Sequence, residues 1–207
     1  MSKSPTAKRQ GRSESAYWIV DKRQLRSLAS PVRQDLLDRL AASGPMSVAE
    51  IADALAMKPT ALYRHLQILE SVELVRKAGV RTRNRRAETL YAAPARRLLL
   101  ERAYEQKATA SLLADIASAL TRQLDRDAAR ALARGEAATA GPARSLGFAR
   151  RVGAPSTRDL AAINRKLSEI SAILRRRDAT DGELISFGWV MAPLTRKPKQ
   201  RKRRARS

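Results

Sequence analysis

The chain has 207 residues, 43% of them hydrophobic, and a formal net charge of +22 at pH 7; that is enough apolar material for a core, under a surface that must attract a polyanion, either nucleic acid or an anionic membrane. It has no cysteine and a single histidine, which excludes disulfides, thiolate metal sites and imidazole metal clusters; with no glycine-rich phosphate loop either, the sequence offers no basis for an enzyme and no cofactor is expected. No apolar run approaches the ~20 residues that cross a bilayer, and the N-terminus MSKSPTAKRQGRSES lacks the apolar stretch of a signal peptide, so the expected location is the cytoplasm, on the nucleoid, with no membrane partner.

Residues 1–16 are polar, basic and rich in Ser, a composition that cannot bury enough apolar area to offset the entropy of ordering, and are expected to form a disordered basic arm. From Tyr17 the pattern tightens, and a domain is expected over 17–94. Ser30-Pro31 opens a helix with Val32, Leu36, Leu37 and Leu40 on one stripe, and Gly44-Pro45 ends it. Ser47 with Glu50 three residues on is a capping-box pattern for the next helix, flanked by Met46 and Ile51 in the staple positions. After the turn Ala56-Met57-Lys58, Pro59 suits the first position of another helix, because its missing N–H needs no partner there.

That helix, over 59–71, would be about 20 Å long at ~1.5 Å per residue, the size that enters a major groove. Leu62, Leu66 and Leu69 point inward on it and Thr60, Tyr63, Arg64 and Gln67 outward. Strands are expected at Val75–Ala78 and Ala87–Ala92, with Arg81-Thr82-Arg83-Asn84-Arg85-Arg86 as a solvated tip. Six Arg or Lys and no acid fall between Arg76 and Arg86. Helix, turn, helix and charged hairpin together read as a two-stranded β-wing beside a recognition helix.

Region 95–194 is expected to be a helical dimerisation or sensing region. Between Pro94 and Gly135 there is neither Pro nor Gly, so one long helix or two abutting ones are expected over 95–133, with Leu99, Tyr104, Leu112, Leu113, Ile116, Leu120 and Leu124 as the apolar stripe. A linker follows at 135–157, marked by Gly135, Gly141, Pro142, Gly147, Gly153 and Pro155. Ser156 and Asp159 then cap a second amphipathic helix whose Leu160, Ile163, Leu167, Ile170 and Leu174 alternate at spacings of three and four. Two heptads are too few to stand alone, so this seam is expected to pack on the 95–133 helix or on its copy in a second chain. ISFGWVMAPL at 185–194 suggests a strand, or else a packed extended tail. The last thirteen residues, TRKPKQRKRRARS, are a basic tail at 195–207 with eight Arg or Lys from Arg196 to Arg206.

The run from residue 23 to about 93 resembles the winged helix-turn-helix repressors of the ArsR type. Carrying the resemblance are Leu-Ala-Ser-Pro-x-Arg at 28–33, Ser-Val-Ala-Glu-Ile-Ala at 47–52 and Tyr-Arg-His-Leu-x-x-Leu at 63–69. It implies a transcriptional regulator, a repressor by promoter occupancy, with a C-terminal helical extension used for dimerisation. Three departures stand out: Lys58 where relatives carry a small cap, Glu73 where they carry Gly, and neither Cys nor clustered His, so metal sensing is not carried over. A non-Gly residue in a left-handed conformation costs about 1 kcal/mol.

The fold class expected is therefore mainly α: a winged helix-turn-helix domain with a two-stranded β-wing and a helical C-terminal dimerisation region. Double-stranded DNA is the expected partner and a homodimer the expected assembly, its two recognition helices about 34 Å apart. Thr60, Tyr63, Arg64 and Gln67 are the candidates for base readout, and Arg81, Arg83, Arg85 and Arg86 for phosphate or minor-groove contact, against the plainer reading of a solvated helix face and loop. His65, between the two faces, is expected to be structural or to touch phosphate. Trp18, Trp189 and the aliphatic stripes are expected as core or dimer contacts, with a small-molecule effector pocket as the alternative. The competing function is an architectural, nucleoid-type protein that coats DNA with little sequence selectivity, suggested by the tail and the charge.

Overall fold

The computed structural model describes residues 16–135, 137–176 and 184–194. The basic arm, Ala16 apart, and the basic tail lie outside the described residues. The chain begins with strand β1 (Ala16–Trp18) and helix α1 (Lys22–Ser27), which Asp21 caps by accepting the backbone N–H of Arg23 at 2.6 Å. Helix α2 (Pro31–Ser43) starts, as expected, with Pro31 in its first turn behind an extended Ser30, and it stops at Gly44, whose φ of 89° only glycine adopts readily.

Strand β2 (Met46–Ser47) leads directly into α3 (Val48–Leu55). The capping box forms as the spacing predicts: Ser47 Oγ accepts the Glu50 N–H at 3.4 Å, and Glu50 Oε2 accepts the Ser47 N–H at 2.8 Å. Ala56 turns the chain in the left-handed region at φ 51°, and α4 spans Pro59–Ser71, the limits read from the sequence.

Strands β3 (Arg76–Arg83) and β4 (Arg86–Ala92) form the antiparallel hairpin. Two corrections apply here. The sheet has three strands in the order β2-β4-β3, not two, because Met46–Ser47 pairs with Tyr91 and Leu90; a two-residue strand is too short to carry a period-two signal. The six-residue tip is instead a two-residue turn, Asn84–Arg85, with both residues at positive φ (51° and 62°), the type I′ geometry whose twist matches that of the flanking strands.

Region 95–133 is also not a continuous helix. It contains β5 (Arg97–Leu99), the short α5 (Glu101–Tyr104), a 3-10 turn at Lys107–Thr109 and then α6 (Ala110–Arg134). Strand β5 pairs in parallel with β1, Ala16 facing Arg97 and Trp18 facing Leu99, a pairing with a distant segment that overrides local helix propensity. The buried Thr109 hydroxyl, bonded to the carbonyls of Ala103 and Gln106 at 2.6 Å each, breaks the helical run before α6. Of the expected stripe only part turns inward, and Tyr104 is 64% exposed.

A single aliphatic core joins these elements: Leu25 of α1, Leu36, Leu37 and Leu40 of α2, Ile51 and Leu55 of α3, Leu62, Leu66 and Leu69 of α4, and Leu74 and Val75 entering β3. It continues past the expected boundary at residue 94, since Ala103 and Ile116 belong to it. Three buried glutamine amides staple the helices. Gln24 Nε2 donates to Tyr17 Oη (2.8 Å) and to the Val72 carbonyl (2.9 Å), tying β1 and the end of α4 to α1. Gln34 donates to the carbonyls of Leu28 and Ile116, and Gln123 on α6 to the carboxylates of Asp35 (2.9 Å) and Asp127 (3.0 Å). A buried amide left without partners would be destabilising, so each fixes a helix pairing.

Helix α7 (Thr157–Leu174) is capped by Ser156 and Asp159 as expected but buries none of its residues. The seam therefore does not pack on α6 within one chain. The described part of the linker, 137–156, holds neither helix nor strand. Residues 184–194 form no strand; they touch α6, where Ser186 Oγ donates to Asp127 Oδ2 at 2.7 Å and a Cβ on Gly188 would lie 2.6 Å from Leu124 Cδ1.

Candidate nucleic-acid interface

Helix α4 separates its faces as its leucine spacing requires. Leu62, Leu66 and Leu69 are buried to 2% exposure or less, while Thr60, Tyr63, Arg64 and Gln67 are all exposed. Tyr63 leaves about half its surface, 49%, in solvent, costly for an aromatic ring unless something covers it. Lys58 sits at the N-cap without a side-chain capping bond; Pro59 has no N–H to satisfy, and the Ala61 N–H donates to the Lys58 carbonyl at 3.0 Å. Burial, followed by the nearby charges of Arg33 and Arg64, holds the His65 imidazole below its ordinary pKa. It is a neutral ring on the helix flank. Among the described residues, no group of three or more His, Asp or Glu could hold a metal ion.

Leu74 and Val75 are fully buried and feed the chain from α4 into β3. Glu73, just before them, adopts φ 60°, the left-handed position where glycine would be relaxed. Lys77 on β3 reaches back to Glu70 near the end of α4 at 3.9 Å. Gly79, at φ 132°, lies at the register shift between Lys77 and Gly79 that bends the strand.

At the far end Arg83 and Arg86 face each other directly across the ladder, and Arg85 occupies the second turn position. All three are exposed. Like charges opposite one another in a sheet repel, and a non-glycine residue at φ 62° is strained. The tip thus breaks two local stability rules at once. Arg81 is placed differently from its three neighbours. It lies inside β3, opposite Glu88, and its Nη2 is 2.9 Å from both Glu88 Oε2 and Glu50 Oε1. The sequence shows the acid opposite Arg81 only once the register is known, and Glu50 only once α3 is seated on the sheet.

Residues 28–78 match the helix-turn-helix domain family. The match runs from the end of α1 into β3 and so includes α2, α3 and α4. The second helix of the matched motif is α4. No curated protein matches the chain. Solved structures similar to it include two mutant forms of Lactococcus lactis ZitR. A double mutant is 14% identical over 70% of this chain and 74% of that one, with a TM-score of 0.28. A single mutant is 16% identical over 79% and 80%, with a TM-score of 0.27. Among the described residues no helix is long and apolar enough to cross a membrane.

Proposed function

We propose that this protein is a sequence-specific DNA-binding transcriptional regulator of the ArsR type, a repressor that occupies promoter DNA as a homodimer in the cytoplasm. One observation carries the reading: the helix-turn-helix match includes a helix, α4, that exposes Thr60, Tyr63, Arg64 and Gln67, and it is followed by a hairpin whose tip arginines Arg83 and Arg86 stand opposite each other in the ladder. Arg64 and Gln67 supply the bidentate chemistry that reads guanine and adenine, each good pair discriminating by ~1–3 kcal/mol. Tyr63 and Thr60 serve phosphate or the thymine methyl. Arg83, Arg85 and Arg86 grip the backbone beside the helix, where the polyanion relieves their mutual repulsion. The region from 95 to 194, with linker 135–157, is the dimerisation and sensing part, and the basic arm and tail add affinity without selectivity.

The test is genome-wide mapping of bound DNA for the wild type and for Arg64→Ala. Site-specific peaks are expected to vanish in the variant while weak, salt-sensitive binding persists. Peaks that survive the substitution would remove α4 as the reading element. A wild type that coats DNA without preference, holding a selected site by less than ~10³-fold over unrelated DNA, would mark an architectural protein instead.

A further inference from the structure

We propose that Arg81, which lies in the arginine-rich hairpin, is a positioning residue: it clamps the wing to the start of α3 through Glu50 and Glu88 and makes no phosphate contact. The inference rests on the DNA-binding reading for its consequence, but its geometry stands alone.

One guanidinium nitrogen, Arg81 Nη2, lies 2.9 Å from a carboxylate oxygen of Glu88 and 2.9 Å from one of Glu50. The two acids come from different elements. Glu88 is the cross-strand partner on β4, and Glu50 stands in the first turn of α3. Glu50 is itself fixed, because its other oxygen accepts the Ser47 N–H at 2.8 Å in the capping box, and Ser47 pairs with Leu90 of β4. A closed circuit results: β3 to β4 through the ladder, β4 to β2 through the ladder, β2 to α3 through the cap, and α3 back to β3 through Arg81.

The Ser47 backbone N–H first, and then Arg81, hold the Glu50 carboxyl below the usual carboxylate range, while Glu88 and then Glu50 push the Arg81 guanidinium up. Glu50 and Arg81 are therefore both held in their charged forms. With two carboxylates on one guanidinium, the cluster carries a net negative charge, which repels phosphate. Among the described residues Arg83, Arg85 and Arg86 have no ion pair with an acid, and on this proposal they are the wing's contacts.

The opposite expectations for charge make the proposal testable. Glu50→Gln keeps the capping box, since Gln returns the same bond, but removes one negative charge near the interface. If Arg81 touched phosphate, freeing it from Glu50 would leave affinity the same or raise it. If Arg81 positions the wing, affinity falls. Binding of the full chain to a mixed-sequence 30-base-pair duplex would be measured across salt for the wild type, Glu50→Gln and Arg81→Gln. Amide hydrogen exchange over residues 76–92 would be followed without DNA. The expected result is faster exchange in the hairpin of both variants, an affinity loss of roughly three- to tenfold in Glu50→Gln, and a salt slope for Arg81→Gln equal to that of the wild type. A slope reduced by about one in Arg81→Gln, or unchanged hairpin exchange in both variants, would overturn the assignment. Should the wild type fail to bind any duplex, the proposed function falls, and the exchange measurement alone then decides the role of Arg81.

Discussion

Residue-scale strain in the described residues sits at the backbone reversals on either side of α4 and at the tip of the hairpin that follows it. Ala56, Glu73, Asn84 and Arg85 all adopt positive φ without being glycine. Asn is the one of the four suited to it, because its short amide tolerates the left-handed region. Glu73 has no such amide: its side chain is exposed and, among the described residues, makes no hydrogen bond or ion pair that would offset the strain. Glu73→Gly is expected to stabilise the fold by about 0.5 kcal/mol, the ~1 kcal/mol gained from the relaxed turn being partly offset by the extra entropy of the unfolded chain. The check is the chemical denaturation midpoint, and DNA affinity should not move. A variant less stable than the wild type would mean that Glu73 makes a contribution absent from this account. Arg85 is strained in the same way, but there the guanidinium is proposed to meet phosphate, so relief of strain at Arg85 would come at the expense of binding.

At the scale of elements, the decisive joint is between α2 and α6. Asp35 is buried at that joint, accepts from Gln123 Nε2 at 2.9 Å and is paired with Arg39 at 3.2 Å. Burial raises its pKa above the ordinary aspartate value; Arg39 and Arg130 oppose the shift, and Asp127 adds to it. The environment thus favours the neutral carboxyl. For a group whose folded pKa is raised, the stabilising contribution is complete below the unfolded value, ~3.9, and is lost as pH climbs through the folded value. Asp35→Asn supplies a permanently neutral side chain whose one oxygen can still accept from Gln123, while its amide nitrogen replaces the oxygen that accepts from Arg39. It is expected to flatten the decline in stability on going up from about pH 4. Urea midpoints across that range would show it, and parallel curves for the two proteins would refute it. The same joint explains why α6 counts with the DNA-binding core: Ile116 lies in the core and its carbonyl accepts from Gln34 of α2.

For the whole molecule, the telling feature is apolar surface without cover. Helix α7 buries nothing, and Leu160, Ile163, Ile173 and Leu174 are all exposed on it. Phe187, Trp189, Val190 and Met191 add to the exposed apolar surface from the segment on α6. Surface of this kind on one chain is characteristic of an association site, and a second copy of α7 supplies a matching seam at the same spacing. Ile163→Glu combined with Ile170→Glu is therefore expected to turn a dimer into a monomer in sedimentation experiments and to lower affinity for a two-half-site operator by at least tenfold, about 1.4 kcal/mol. A wild-type chain that sediments as a monomer at micromolar concentration would end the dimer proposal.

Local chemistry was enough to read helix α4 and its buried face. Pro59, the leucines at 62, 66 and 69, and the capping pairs Ser47–Glu50 and Ser156–Asp159 act within one or two turns of chain, so their consequences are visible in a run of a dozen residues. Tertiary structure alone decided that Arg97–Leu99 leaves a helical composition to lie beside Ala16–Trp18, that Met46–Ser47 adds a third strand, and that Arg81 faces two carboxylates instead of solvent. Each of these depends on partners distant along the chain, brought together by burial of a shared core. Periodicity and capping report only how a segment satisfies its own backbone, and carry no information about which remote side chain will stand opposite.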